Sequence, residues 1–235
     1  MQLFYNQYIN ASSDQFTFDK IESRHIVKVL RKNEGDILFI TNGNSILFKA
    51  EILIANDKKC LVKIISEEIK KKSWDYNLHI AIAPTKNNDR LEWFLEKATE
   101  IGIDEITPII CDHSERKVIK KERLEKVLIS AMKQSLKFQL PKFNNPMNVS
   151  TFIQGKNHGD LFIAHCEGDS KESLKSRLKQ RQSLTILIGP EGDFSWKEIE
   201  LAFKNNFTPV TLGSSRLRTE TAGVAVAQSV AFFNQ

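Results

Sequence analysis

The chain holds only three cysteines in 235 residues. Cys60, Cys111 and Cys166 stand far apart in apolar runs, there is no CxxC pair, and an odd count fits no disulfide framework. Buried, reduced thiols are expected. The histidines (His25, His79, His113, His158 and His165) lack metal-ligand spacing, so no metal site is expected. No apolar run approaches a membrane span, and no membrane association is expected. The opening residues, MQLFYNQYINASSDQF, lack the basic start and apolar middle of a signal peptide, which points to a cytoplasmic protein. The GKS or GKT ending of a phosphate loop is missing, and so is GxGxxG. There is no internal repeat and no low-complexity tract.

What is present is ordinary for a globular protein: 41% hydrophobic and 27% charged residues, with room for one large domain or two small ones. The net charge of +5 suggests a polyanionic partner. It is concentrated: His113 to Lys142 carries nine Lys/Arg against three Glu, a local +6. On pattern alone that stretch reads equally as a solvated helix face.

Residues 1–70 read as a β-rich domain. Leu3–Ile9, Ile37–Thr41, Ile46–Ile54 and Cys60–Ile65 have strand composition. Asn42-Gly43 between two of them signals a tight hairpin. A helix over Ser23–Arg31 places Ile26, Val29 and Leu30 on one face and leaves Arg24, Lys28 and Arg31 wet. Several short strands with one helix suggest a small barrel. A charged stretch, Glu67 to Ser73, is the expected linker.

A second domain, 74–235, alternates strand and helix. Leu78–Ala83, Glu105–Ile110 and Leu161–Cys166 read as strands. Asp89–Ile101 reads as a helix burying Leu91, Phe94, Leu95, Ala98 and Ile101 and stopped by Gly102. Glu122–Gln139 reads as an amphipathic helix ended by Pro141, and Ser170–Lys179 as a short helix. This alternation predicts an α/β fold with a mostly parallel sheet covered on both faces.

Two stretches stand out near the end. The runs Thr185–Ile188 and Thr208–Leu212 each feed a glycine-containing loop and then a helix. Ligands of α/β proteins sit at such carboxyl ends of strands. In Gly189-Pro-Glu-Gly-Asp193-Phe-Ser195, the glycines permit close backbone approach, and Ser195-x-x-Glu198 is a capping box. Such a loop suits an adenine edge read by backbone amides better than a triphosphate; GPEG alone also reads as a plain turn. In the second loop, Gly213 to Ala222, Thr219 is the expected N-cap of a helix over Ala222–Phe233, with Glu220 in its first turn. Capping leaves Arg216 and Arg218 unexplained, because they oppose the positive end of the helix. An arriving RNA phosphate would account for them.

LIGPEGDFS with Glu198, and LGSSRLRTETA, closely resemble the signature of the ribosomal RNA small subunit methyltransferase E family, within the knotted SPOUT methyltransferases. His25, Val29-Leu30-Arg31 and Gly35-Asp36 resemble that family's N-terminal PUA-like domain. Lys86, Glu92, Lys97, Glu100-Ile-Gly102 and Pro108, then Ser114-Glu-Arg116, Glu122-Arg123 and Gln134-Ser135, resemble its catalytic domain. The resemblance spans nearly the whole chain. It implies a PUA-like β-barrel followed by a SPOUT α/β domain with a deep trefoil knot. It further implies S-adenosylmethionine as cofactor, a homodimer, and methylation of N3 of one uridine near the 3′ end of 16S ribosomal RNA, on free RNA or the small subunit. By matching position, the cofactor residues would be Ile163, Ala164, His165, Leu187, Ile188, Gly189, Glu191, Gly192, Leu212, Gly213, Leu217, Arg218, Thr219, Thr221 and Ala222. Arg218, Glu191 and Glu220 would be the catalytic candidates. Arg24, Arg31, Lys86, Arg116, Lys133, Gln134, Lys137 and Arg216 would contact RNA. The chain departs from the family at Asp193, where GPEGG is commoner, and at Lys137, where arginine is frequent. Lysine keeps the charge but loses bidentate phosphate geometry. Two other readings remain: a SPOUT enzyme acting on another RNA such as transfer RNA, and an RNA-binding protein without chemistry.

Overall fold

The computed structural model describes residues 1–166 and 171–235. The chain forms two compact units, Met1–Lys72 with Met132–Leu140, and Ser73–Ala131 with Pro141–Gln235.

The first unit is built on a sheet of five strands: β1 (Leu3–Tyr5), β2 (Gln15–Thr17), β3 (Ile37–Thr41), β4 (Ile46–Ile54) and β5 (Leu61–Ile69). Their order is β1-β3-β4-β5-β2. Alternating residues such as Leu38, Ile40, Phe48, Ala50 and Val62 turn inward onto Phe4, Phe18 and Ile26. The edges are β1 and β2, so the hydrogen-bonded sheet runs as an open path. β1 stops at Tyr5, short of Ile9, because Asn6 and Asn10 side chains accept the Tyr8 and Ser12 N–H groups and turn the chain. Three-residue β2 is too short to show alternation in the sequence. β5 continues to Ile69 and occupies much of the expected linker. Register shifts at Lys49/Ala50 and Ile52/Ile54 keep it paired with β4 as far as Ile46 opposite Ile69. The β3–β4 hairpin forms, but across four residues, with Gly43 and Ser45 at φ +77° and +65°.

The helix begins earlier than expected. Asp19 caps α1 (Lys20–Arg24), which passes into a π-helical turn over His25–Val29. Its Leu30 N–H reaches the His25 carbonyl. The wider turn leaves Ile26 in the core but rotates Val29 outward, where it is 67% exposed.

The second unit carries a parallel sheet. Its strands are β6 (Asn77–Ile82), β7 (Glu105–Ile110), β8 (Lys142–Phe143), β9 (Met147–Asn148), β10 (Asp160–Ala164), β11 (Glu172–Ser173), β12 (Ser183–Ile188) and β13 (Thr208–Thr211). The order is β11-β13-β10-β12-β6-β7-β8, with β9 beside β7. The helices are α2 (Asn88–Ile101), α3 (Lys121–Gln134), α4 (Val149–Gln154), α5 (Leu174–Arg177), α6 (Trp196–Lys204) and α7 (Thr219–Phe233). β6 and β12 are central, and each ends in a buried apolar run, Ile80–Ile82 and Ile186–Ile188, as a strand covered on both faces must. One face packs Ala81, Ala83 and Leu187 against Phe152 of α4 and Ile199 of α6. On the other, Ile82 and Phe94 of α2 meet Gly223 of α7, where a Cβ would lie 2.5 Å from the Phe94 ring. Only glycine permits that approach of α7.

Several boundaries moved. α3 ends at Gln134, not Gln139. Leu136 takes φ +53°, and the Lys137 N–H bonds the Met132 carbonyl, a left-handed stop without glycine. The last turn of α3 and the residues after it, Met132–Leu140, belong to the first unit, where Gln139 bridges to Asn44. α7 starts at Thr219, and its N-cap is Arg218. β10 ends at Ala164, which leaves Cys166 exposed while Cys60 and Cys111 are buried as expected. In place of a helix over Ser170–Lys179 there is β11 and the single turn α5; Ser170 lies outside the described residues. Six-residue α4 was missed because so short a helix shows no stripe.

Below the sheet, at the amino ends of β6 and β7, His79 is largely buried. Its Nε2 lies 2.8 Å from Thr107 Oγ1, and its ring meets Phe152 edge-on. Burial lowers its pKa from 6.5 to about 4; Glu105 opposes the shift and Lys142 adds to it. The unfolded chain therefore takes up a proton below pH 6.5 that the folded chain refuses until about pH 4. Stability should be full above pH 6.5 and fall towards pH 4, on the order of 3 kcal/mol from this residue. Urea unfolding across that range should show a shallower slope for His79→Gln. Gly223→Val should cost about 2 kcal/mol, read as a lower urea midpoint at unchanged slope.

Candidate active site

At the carboxyl ends of the neighbouring strands β13, β10 and β12, three loops wall a cavity of about 690 Å³. This is where a parallel sheet presents ligands. Gly189–Ser195 leaves β12, Leu212–Arg218 leaves β13, and His165-Cys166 leaves β10.

The first loop is held at several points. Asp193 adopts φ +63°. Its Oδ2 accepts the Cys166 N–H at 2.7 Å and its Oδ1 accepts the Phe194 N–H at 2.9 Å. His113 Nδ1 sits 3.0 Å and 3.1 Å from the Gly192 and Asp193 carbonyls, so it is the nitrogen that donates. A Cβ at Gly192 would lie 3.0 Å from His113 Cβ. Glu191 Oε1 accepts the Lys86 N–H at 3.0 Å. The expected capping box is present: Ser195 and Glu198 exchange hydrogen bonds at the start of α6. Glu198 also accepts the Asp112 N–H, and the Ser195 hydroxyl donates to Asp112 at 2.6 Å. One bond joins the two glycine loops: Thr219 Oγ1 donates to the Gly189 carbonyl at 3.0 Å, fully buried. Thr219 therefore ties β12 to α7 instead of capping the helix.

Arg216 and Arg218 are both exposed on the wall, and neither has an ion pair among the described residues. Two carboxylates nearby are incomplete. Glu191 Oε2 and Glu220 Oε2 are buried without a hydrogen-bond partner among the described residues. Glu220 is only 6% exposed; its other oxygen lies 3.7 Å from Arg90 Nε on α2. Burial raises the Cys166 pKa, with Asp193 adding to the effect and Arg216 and Lys171 opposing it. No cluster suited to a metal ion occurs among the described residues.

Most of the residues singled out in the sequence meet here. Ala164, His165, Ile188, Gly189, Glu191, Gly192, Leu212, Gly213, Arg216, Leu217, Arg218, Thr219 and Ala222 line the cavity. Ile163 and Leu187 do not; both are fully buried, one layer beneath, in the core shared with α4 and α6. Thr221 and Glu220 also stay off the wall, because the helical turn carries them round from Thr219 and Ala222. Pro190 and Ser214, inside the expected cofactor loops, also line the wall, and Asp193 and Thr211, each one residue outside them, were missed. His113 and Arg90 were missed outright, since nothing local marks a residue that acts across the fold.

The cations expected to grip RNA are less free than their sequence suggested. Lys86 Nζ pairs with Glu115 at 2.8 Å. Arg116 turns inward to the Lys86 carbonyl and to Asn88 Oδ1, bracing the loop after β6. In the first unit Lys133 Nζ pairs with Glu22 at 2.9 Å, and burial lowers the pKa of Lys137. Arg24, Arg31 and Gln134 are exposed there.

The fold and cavity are those of an RNA methyltransferase, as two family models show. Residues 72–231 match the model of the RNA methyltransferase domain, and residues 18–65 that of the RNA methyltransferase PUA domain. The chain is 33% identical, over 92% of its length and 88% of the relative's, to ribosomal RNA small subunit methyltransferase E of Buchnera aphidicola. It belongs to the ribosomal RNA small subunit methyltransferase E family. Among solved structures it resembles a "probable rRNA-methyltransferase" of Porphyromonas gingivalis at TM-score 0.91 and 42% identity, covering 100% of this chain and 98% of that one. A Legionella pneumophila protein in complex with the bound cofactor SAM matches at TM-score 0.88 and 26% identity, covering 99% and 97%.

Thr219→Val should cost about 2 kcal/mol, because the buried Gly189 carbonyl loses its donor while volume is kept. Thr219→Ser should retain most of the wild-type stability in denaturant titration.

Proposed function

We propose that the chain transfers a methyl group from S-adenosylmethionine to N3 of one uridine in 16S ribosomal RNA of the small subunit. The observation that carries this reading is the cavity at the ends of β10, β12 and β13, walled by two glycine loops and rimmed by two arginines without an ion pair among the described residues. The chain's family, and the Legionella relative that holds SAM, support it.

The residues present fit that cofactor. The volume lies within the range of organic-ligand sites. Gly213 has φ +133° and open space where a side chain would be, so backbone can approach a ligand closely. The backbone of Ile188–Gly192 and Thr211–Leu217 offers amides and carbonyls for an adenine edge. The orphaned Glu191 Oε2 is an acceptor that a ligand amine or hydroxyl would complete. Ile163 and Leu187 support these loops from below, and Thr221 faces away on α7.

When bound, the cofactor supplies an electrophilic methyl on a positively charged sulfur. The chain's task is then to align uracil N3 with that methyl and to bear the charge that develops on the base. Arg218 is placed for the second role: its guanidinium is exposed on the wall, has no ion pair among the described residues, and can hold negative charge on a uracil oxygen. Arg216 beside it would take a flanking phosphate. Glu220, off the wall and beside Arg90, acts as a positioning residue behind Thr219. Lys86 and Arg116 likewise shape the loop after β6. The exposed Arg24, Arg31 and Gln134 of the PUA unit would contact RNA, with Lys133 and Lys137 bracing that surface.

We further read the end of the chain as a threaded trefoil. The chain leaves central β12, pairs β13 outside β10, and returns as α7 over β6 and β12, a path that supports threading. A homodimer would cover the α2–α7 face, where Trp93 and Phe232 are 42% and 72% exposed. No helix among the described residues is long and apolar enough to cross a membrane. The proposed substrate puts the enzyme in the cytoplasm.

Incubation with methyl-labelled S-adenosylmethionine and small ribosomal subunits should label one uridine at N3 by mass mapping; label elsewhere, or none, would refute the reading. Arg218→Ala should lower turnover on the order of a hundredfold. Calorimetric affinity for S-adenosylhomocysteine should stay close to wild type in that variant.

A further inference from the structure

The face of the sheet opposite α2 and α7 carries an exposed feature that the cofactor cavity does not use. Helix α6 buries Glu198, Ile199 and Ala202 and turns Trp196 and Phe203 outward, 63% and 44% exposed. Seven residues apart, they share one stripe, separated by ~10 Å along the axis. Two large aromatics aligned on one exposed helix face offer flat apolar surface to a partner.

The helix follows the cavity's first loop directly, and its far ring reaches a residue of the cavity wall. Trp196 is the first residue of α6, directly after the loop that walls it. The Phe203 ring lies 6.1 Å from that of His165, which lines the cavity. Beyond His165, Cys166 feels the positive charges of Arg216 and Lys171. Lys197 and Lys204 flank the stripe on the same helix, against one exposed carboxylate, Glu200, within it. An aromatic track edged by cations that leads to a cavity mouth suits a single-stranded polyanion with flat faces. A second copy of the chain is the weaker occupant, because the proposed dimer face lies on the other side of the sheet.

We propose that Trp196 and Phe203 form a stacking platform for unpaired RNA bases flanking the methylated uridine, with Arg216 taking the intervening phosphate. Stacking on aromatics tolerates any base, so this surface holds the strand while the cavity selects the uridine. The inference rests on the RNA methyltransferase reading above.

The test measures full-length protein with a fluorescein-labelled fragment from the 3′ region of 16S ribosomal RNA, by anisotropy, together with methyl-transfer kinetics. Trp196→Ala and Phe203→Ala should each weaken RNA binding by about tenfold. They should raise KM for RNA with little change in kcat, and leave S-adenosylhomocysteine affinity unchanged. Trp196→Phe and Phe203→Tyr should keep most of the affinity, whereas Trp196→Leu and Phe203→Leu should not, which separates stacking from bulk. Unchanged RNA affinity in the alanine variants, with wild type active, overturns the platform alone. Unchanged RNA affinity with altered self-association assigns the stripe to a protein contact and likewise overturns it. A wild type that neither binds the fragment nor transfers methyl overturns both this inference and the function it rests on.

Discussion

A single buried hydrogen bond, from Thr219 to the Gly189 carbonyl, holds together two loops that lie thirty residues apart in the chain. Gly189 directly follows the central strand β12, and Thr219 opens the last helix. Because the bond is shielded from water, its loss would leave a desolvated carbonyl. It therefore fixes where α7 begins, and with it the direction of Arg216 and Arg218. Gly223, one turn on, performs the complementary task by letting α7 lie against Phe94 and Ile82. The cavity exists because these two points set the last helix over the sheet.

The charges divide by burial. Glu198 and Asp193 spend both oxygens on backbone N–H groups, and Glu191 spends one, and so they stiffen the loops. Arg116 does the same with a carbonyl. Arg216 and Arg218 are exposed at the rim and without an ion pair among the described residues. That is the arrangement a cleft needs if it is to bear transient negative charge: the frame is settled internally, and the mobile cations face the ligand. Such a frame also limits reorganisation when RNA arrives.

Much of this was legible from residue order. The apolar runs at β6, β7 and β12, the stripe of α2 with Gly102 behind it, and the Ser195–Glu198 box follow local rules, and the structure has them. The stretches that went astray are those where local preference lost to a distant partner. Leu136 takes a left-handed conformation although glycine would suit it better, and residues 136–140 leave the helix within the first unit. Thr219 has the chemistry of an N-cap but bonds a strand thirty residues away. Glu67–Ile69 looks like a linker by composition and pairs as the end of β5. The π turn at His25–Val29 adds a residue to the helical repeat, so Val29 leaves the face that a 3.6-residue period assigned to it.

The order of residues by itself determined the element types, the apolar faces and the two glycine loops, because backbone preference and hydrophobic period act over a few neighbours. Only the tertiary structure decided which side chains of those loops reach the cavity. Ile163 and Leu187 point into the core, Glu220 turns towards Arg90, and Lys86 and Lys133 are drawn to carboxylates far along the chain. Those choices depend on the direction of a side chain and the charge it meets across the fold, and neither is encoded in nearest neighbours.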